Sequence, residues 1–164
     1  MTNTNLNPAI KPIEFLLGKW SGEGQGEYPT IEPFRYREEI DFSHNGKPFL
    51  IYNQRTRAFD EDQPMHTEAG YLRSVGNGAV EFVIAQPIGY AEISIGRVEG
   101  TRLDVQCESV SKTPTAKNVT AISRSFWLEG DQLHSETRMG MDGRPPTRHL
   151  KATFRRVDQP ADGD

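Results

Sequence analysis

Turn-forming residues interrupt this chain at spacings of roughly 8–12 residues, and apolar and polar side chains alternate between the interruptions. The clearest stretch puts Phe34, Tyr36, Ile40 and Phe42 on one face and Arg35, Arg37, Glu39 and Asp41 on the other. A period of two marks a strand with one buried face. Glu38 falls on the apolar face, either as a bulge or as a carboxylate paired with an inward arginine. His44-Asn45-Gly46-Lys47 reads as a hairpin turn, Gly76-Asn77-Gly78 and Gly130-Asp131 as tight turns, and 142–147 as a loop around Pro145-Pro146. The pattern predicts about ten strands, over 18–28, 34–42, 49–59, 65–75, 79–86, 90–99, 103–110, 117–129, 132–141 and 148–157. The expected fold class is all-β: the spacing points to an antiparallel sandwich or an antiparallel β-barrel, with a short N-terminal helical turn over 12–17. Closure removes exposed strand edges and leaves an interior able to hold one small ligand. The barrel domain is expected over 12–157, with a flexible N-terminus over 1–11 and a flexible tail over 158–164.

A length of 164 residues suits one domain with one core. The 23 acidic and 19 basic residues are mixed along the chain and give a net charge of −4, which disfavours a nucleic-acid partner. A single cysteine, Cys107, allows no intrachain disulfide, and its place in the alternating run 103–107 reads as a structural thiol. The first residues lack the basic start and apolar segment of a secretory signal, and no run of eighteen apolar residues occurs. A cytoplasmic protein with no membrane partner is the expectation. CxxC, HExxH, EF-hand and Gly-x-Ser-x-Gly patterns are all missing. Glu38 and Glu68 both suit inward positions, but acid pairs are easy to find among so many carboxylates, so a two-carboxylate hydrolase is disfavoured.

Glycine recurs at 18, 22, 24 and 26, ahead of Tyr28-Pro29. In an extended segment Gly22, Gly24 and Gly26 share a face with Trp20. A strand face without side chains is weak unless another backbone or a flat ligand approaches it closely. The segment is not a phosphate loop, because no Gly-Lys-Ser/Thr follows and no helix opens after it. The expectation is that Gly22, Gly24 or Gly26 lets the chain bend or pass another backbone.

The four histidines are His44, His66, His134 and His149. His44 sits in a turn and reads as solvated. His134 alternates with Leu133, Ser135, Thr137, Met139 and Met141, so it faces water if that set faces inward. His149 opens the last strand, where Leu150, Ala152 and Phe154 form one face and strict alternation places His149 on the other. Only a bulge, or a position just before the strand proper, re-aims it inward.

The motif Gly18-x-Trp20-x-Gly22-x-Gly24-x-Gly26-x-Tyr28-Pro29 resembles the signature of the nitrobindin family, small heme-binding β-barrels shaped like fatty-acid-binding proteins. His149-Leu150-x-Ala152-Thr153-Phe154 is similar to the family's C-terminal strand, and Pro64-Met65-His66-Thr67-Glu68-x-Gly70-Tyr71 resembles another of its segments. The resemblance spans roughly residues 12–157. It implies one ferric heme b per chain, with His149 as axial iron ligand and catalytic centre. Thr30, Met65, His66 and Met139 are implied as cofactor-binding residues with it. The implied chemistry is nitric oxide binding and isomerisation of peroxynitrite to nitrate. A homodimer stays open. The competing reading is a carrier of a fatty acid or other small hydrophobic ligand in the same cavity, with Arg55, Arg73 or Lys117 holding a carboxylate.

Overall fold

The computed structural model describes residues 5–157. The tail expected over 158–164, and the first four residues of the expected flexible N-terminus, lie outside that span. The chain enters through a 3-10 helix, Pro8–Leu16, which starts four residues before the helical turn expected over 12–17. The start is set by Asn7-Pro8 rather than by Pro12. The Asn7 side-chain oxygen accepts from the Ala9 N–H at 3.0 Å, and Pro8 presets the first helical φ. Residues 8–11 are therefore part of this helix. Ile10, Ile13 and Leu16 recur every third residue, the repeat of a 3-10 helix, so all three face one way and are fully buried.

Ten strands follow: β1 (Gly18–Tyr28), β2 (Ile31–Ser43), β3 (Phe49–Ala58), β4 (Pro64–Gly76), β5 (Ala79–Gln86), β6 (Tyr90–Glu99), β7 (Arg102–Lys112), β8 (Val119–Glu129), β9 (Gln132–Met141) and β10 (Thr147–Arg156). Each pairs antiparallel with the next, and β10 returns to β1, closing a barrel. Two connections differ from expectation. Only Pro29 and Thr30 turn between β1 and β2, where a loop to residue 33 was expected, and β7 runs on to Lys112. Among the described residues no helix is long and apolar enough to cross a membrane.

The 3-10 helix closes one end of the barrel. Ile10, Ile13 and Leu16 join Trp20, Phe42, Leu50, Leu72, Phe82 and Phe154 in one apolar cluster. The Trp20 indole N–H donates to the Leu16 carbonyl at 2.8 Å, tying the plug to β1. The β1 glycines serve close approach, as expected, in two ways. A Cβ on Gly22 would overlap the Thr153 carbonyl of β10, so here backbone meets backbone. Over Gly24 and Gly26 lie the rings of Tyr36 and Phe34 from β2, side chains that use the space the glycines vacate.

Candidate functional site

The other end of the barrel is open. A cavity of about 290 Å³ enters there between largely apolar walls that include Ile31, Phe34, Ile122, Met139 and Met141. Thr30 from the β1–β2 turn, Met65 and His66 from the start of β4, Met139 from β9 and His149 from β10 all border this one cavity. Closure of the sheet brings together segments more than a hundred residues apart. The signature residues Gly18, Trp20, Gly22 and Gly24 do not line the cavity. They build the β1 seam and the closed end.

His149 reaches the cavity through a bulge. Along the β10–β9 ladder Arg148 pairs with Arg138 and Leu150 with Thr137, so His149 has no opposite residue. The extra residue breaks the period of two, and both His149 and Leu150 border the cavity. The His149 Nδ1 lies 3.0 Å from the Glu27 carbonyl. A carbonyl only accepts, so Nδ1 donates and Nε2 of the neutral ring keeps its lone pair. Burial pushes the His149 pKa below its ordinary value, against the pull of the Glu27 bond, and so favours that neutral ring. Tyr28 packs edge-on against the imidazole, with ring centroids 5.8 Å apart.

The remaining histidines separate by position. His66 lines the cavity, with Nε2 3.2 Å from Glu68 Oε1. His134 lies on the outer face, stacked on Trp127 and bonded to Thr153, as the alternation implied. His44 is half-buried rather than fully solvated, and its Nδ1 accepts from the Gly46 N–H within the turn. Cys107 is half-buried, with its thiol donating to the Ser109 carbonyl.

Beneath the cavity runs a buried polar layer centred on Arg124. Its guanidinium donates to Glu68 at 3.0 and 2.9 Å and to Glu92 at 3.1 and 2.6 Å. Tyr52 donates to Glu68, and Gln86 to Glu92. Glu38 faces inward without a bulge and accepts from Gln54 at 3.0 Å. It is not bonded to the arginine. Burial pushes the Glu38 carboxyl up to about 7, with Glu68 adding to the rise and Gln54 and Arg124 opposing it. Arg124 and Glu92 were not singled out in the sequence. The period of two marks Arg124 but not Glu92, because the apolar row of β6 is the opposite one: Ile93 and Ile95 are each 47% exposed while Glu92 and Ser94 are buried. Arg124 stands between Ile122 and Phe126 on the buried face of β8, and Glu92 between Tyr90 and Ser94 on that of β6. Arg55 and Arg73, two candidates for holding a carboxylate inside, are outward and paired with Glu39 and Glu81. Lys117 borders the cavity.

The donor set suits a heme iron better than a chelated ion. Among the described residues no group of three or more His, Cys, Asp and Glu could hold a metal. A single oriented imidazole in an apolar wall is what a macrocycle that already supplies four nitrogens requires. The Tyr28 hydroxyl and the Thr147 hydroxyl, both buried, have no partner within the protein, and Tyr28 lines the cavity, so polar capacity is left for a ligand.

Comparison with known proteins agrees with this geometry. The family described as the THAP4-like, heme-binding beta-barrel domain matches residues 9–156. A protein of Mycobacterium marinum named peroxynitrite isomerase 2 is 48% identical over 156 residues, which cover 93% of this chain and 97% of that one. Peroxynitrite isomerase 1 of Mycobacterium tuberculosis is 44% identical over 159 residues, with the same coverage of both. The crystal structure of Rv2717c from M. tuberculosis superposes with a TM-score of 0.87 at 43% identity, covering 94% of this chain and all of that one. The chain thus belongs to the THAP4-like family of heme-binding β-barrel domains.

Proposed function

We propose that this protein holds one ferric heme b in the barrel mouth with His149 as axial ligand, binds nitric oxide there, and isomerises peroxynitrite to nitrate. The observation that carries the reading is the bulge at His149 together with its bond to Glu27. The bulge turns the ring toward the cavity, and the Glu27 carbonyl fixes the tautomer that leaves Nε2 as the donor atom. Met65, His66 and Met139 border the space a flat ligand would take, with soft thioethers filling its irregular edges. Thr30 is exposed at the rim, and its hydroxyl suits the polar periphery of such a ligand. The relatives named peroxynitrite isomerase give the reaction. When bound, ferric heme supplies a Lewis-acidic iron with one position open to a small ligand. The chain's share is to ligate, to orient, and to keep bulk water from the reacting atoms.

The carrier reading is weaker. A fatty-acid site needs a free interior cation, but Arg124 is engaged by two carboxylates and Lys117, which borders the cavity, is exposed at its rim rather than interior. A hemin titration followed by absorbance tests the proposal. The expected result is a Soret band saturating at one heme per chain in the wild type and a shifted, weakly bound spectrum in His149→Ala. Wild-type affinity and spectrum in that variant would overturn the axial assignment. No hemin uptake by the wild type would overturn the heme reading itself.

A further inference from the structure

We propose that the polar layer under the cavity selects small uncharged ligands that donate a hydrogen bond and disfavours anions, with Glu68 as the positioning residue that makes His66 their acceptor. For peroxynitrite chemistry this means the protonated acid rather than the anion. That application rests on the heme reading above, whereas the state of His66 does not.

The first observation is the chemistry forced on His66. Burial alone would raise the Glu68 carboxyl, but Arg124 and His66 more than reverse this and leave it at about 2. An ionised carboxylate is only an acceptor. The His66 Nε2, 3.2 Å from Glu68 Oε1, must therefore carry a proton, which leaves Nδ1 as the nitrogen of that ring able to accept. His66 lies two residues above Glu68 on the inward face of β4 and borders the cavity. The two cavity histidines are thus in opposite tautomers. Glu27 leaves Nε2 of His149 as the basic nitrogen, and Glu68 leaves Nδ1 of His66. Each backing group is rigid, since one is strand backbone and the other is clamped by Arg124 at 3.0 and 2.9 Å.

The second observation is the charge. Four of the five Arg124 N–H groups are directed to Glu68 and Glu92, so one guanidinium is shared by two carboxylates. The surplus within the layer is negative and lies in a barrel interior where charges are poorly screened, whereas the one lysine bordering the cavity, Lys117, is exposed to solvent and screened. The third is Gln54, which lines the cavity while only 6% exposed. Its amide nitrogen is committed to Glu38, and its carbonyl oxygen has no partner within the protein. The cavity also carries the unpartnered Tyr28 hydroxyl, which can donate or accept, and the exposed Lys117 ammonium at its rim, but deep in the cavity Gln54 Oε1 and His66 Nδ1 are satisfied only by a ligand that brings its own hydrogen.

The test separates orientation from charge. Nitrogen-15 spectra of the heme-free protein report the His66 tautomer directly. The Nε2–H form is expected in the wild type and in Glu92→Gln. It is expected to be lost or mixed in Glu68→Gln, because an amide can also donate, and regained in Glu68→Asp. Azide and imidazole titrations of the heme-loaded protein then read the charge. Either Glu→Gln change is expected to tighten azide binding on the order of five- to tenfold, and to move neutral imidazole by no more than about twofold. An Nδ1–H tautomer in the wild type overturns the role of Glu68 whether or not any variant folds. Azide affinity unmoved in both Gln variants overturns the selection against anions. A protein that takes up no hemin refutes the heme reading, and the tautomer still decides the role of Glu68.

Discussion

The closed and open ends of the barrel are made by the same ten strands, yet their inward side chains meet different things. At the closed end Trp20, Phe42, Phe82 and Phe154 pack against Ile10, Ile13 and Leu16, and the one polar tip among them, the Trp20 indole, is bonded to Leu16. At the open end Met139 and His149 are half-buried, Met65 is exposed, a bulge interrupts β10, and the Tyr28 hydroxyl is buried without a partner in the protein. The difference shows where this fold is stabilised. Apolar burial is concentrated at the floor, so the mouth can hold a cavity, an irregular strand and unpartnered polar groups. Between the two lies the layer of Glu38, Glu68, Glu92 and Arg124, buried like the floor and chemically akin to the mouth.

The comparison breaks most visibly at Trp20. Trp20→Ala removes a fully buried indole and its bond to the plug, and is expected to destabilise the fold by about 3–5 kcal/mol. Urea unfolding of the heme-free protein reads this. A loss under about 1 kcal/mol would mean that the floor is not where stability resides.

Glu38 gives the next largest effect. Its folded pKa of about 7 exceeds its usual 4.5, so the folded state holds a proton that the unfolded chain releases. That preference stabilises the fold at low pH. It is lost as pH rises from 4.5 through about 7, a change on the order of 3 kcal/mol for a group this buried. Glu68 acts with the opposite sign, losing stability as pH falls from 4.5 through about 2. Unfolding free energy measured against pH is therefore expected to peak near 4.5 from these two groups, and Glu38→Gln to flatten the fall toward pH 8. An unchanged slope in that variant would remove Glu38 as the cause.

At the mouth the balance reverses. His149→Ala is expected to change unfolding of the heme-free protein by less than about 1 kcal/mol and to weaken hemin binding by at least tenfold to about a hundredfold. A large stability loss with intact hemin affinity would make His149 a structural residue of the bulge, and the two ends would no longer differ in kind.

The fold was legible because a period of two over strands such as β2 and β5 leaves little freedom in which face is buried, whereas β6 buries Glu92 and Ser94 and exposes Ile93 and Ile95. The helix begins earlier than Pro12 suggests because Asn7 caps it and Pro8 starts it, and only tertiary contact puts Ile10 in the core. At the site, alternation pointed His149 outward. The bulge that turns it inward is a property of the β9–β10 pairing, in which Leu150 is set against Thr137, and neither strand encodes that register alone. Arg124 was legible in principle: it interrupts the buried row of Ile122 and Phe126, and a charge there demands a partner, but its partners lie 56 and 32 residues away in sequence. Glu92 was not, because its row on β6 reads as the polar one beside Ile93 and Ile95.

The smallest expected effect sharpens the comparison within a single strand. Gly22 and Gly26 are both on β1, four residues apart, on the same face and in the same motif. At Gly22 an added methyl meets the Thr153 carbonyl, a backbone atom that moves only if β10 moves with it. At Gly26 it meets the Phe34 ring, the free end of a half-buried side chain at the cavity wall. Gly22→Ala is therefore expected to cost about 1–3 kcal/mol of unfolding free energy, as overpacking against a rigid neighbour does. Gly26→Ala is expected to stay below about 1 kcal/mol, because Phe34 can swing aside. The displaced ring must then go toward the mouth, so Gly26→Ala is expected to alter hemin affinity by a factor of about two to five while Gly22→Ala leaves it unchanged. Equal stability losses in the two variants, with hemin binding untouched by both, would show that the glycines act only through strand pairing and that the ring over Gly26 does not shape the cavity.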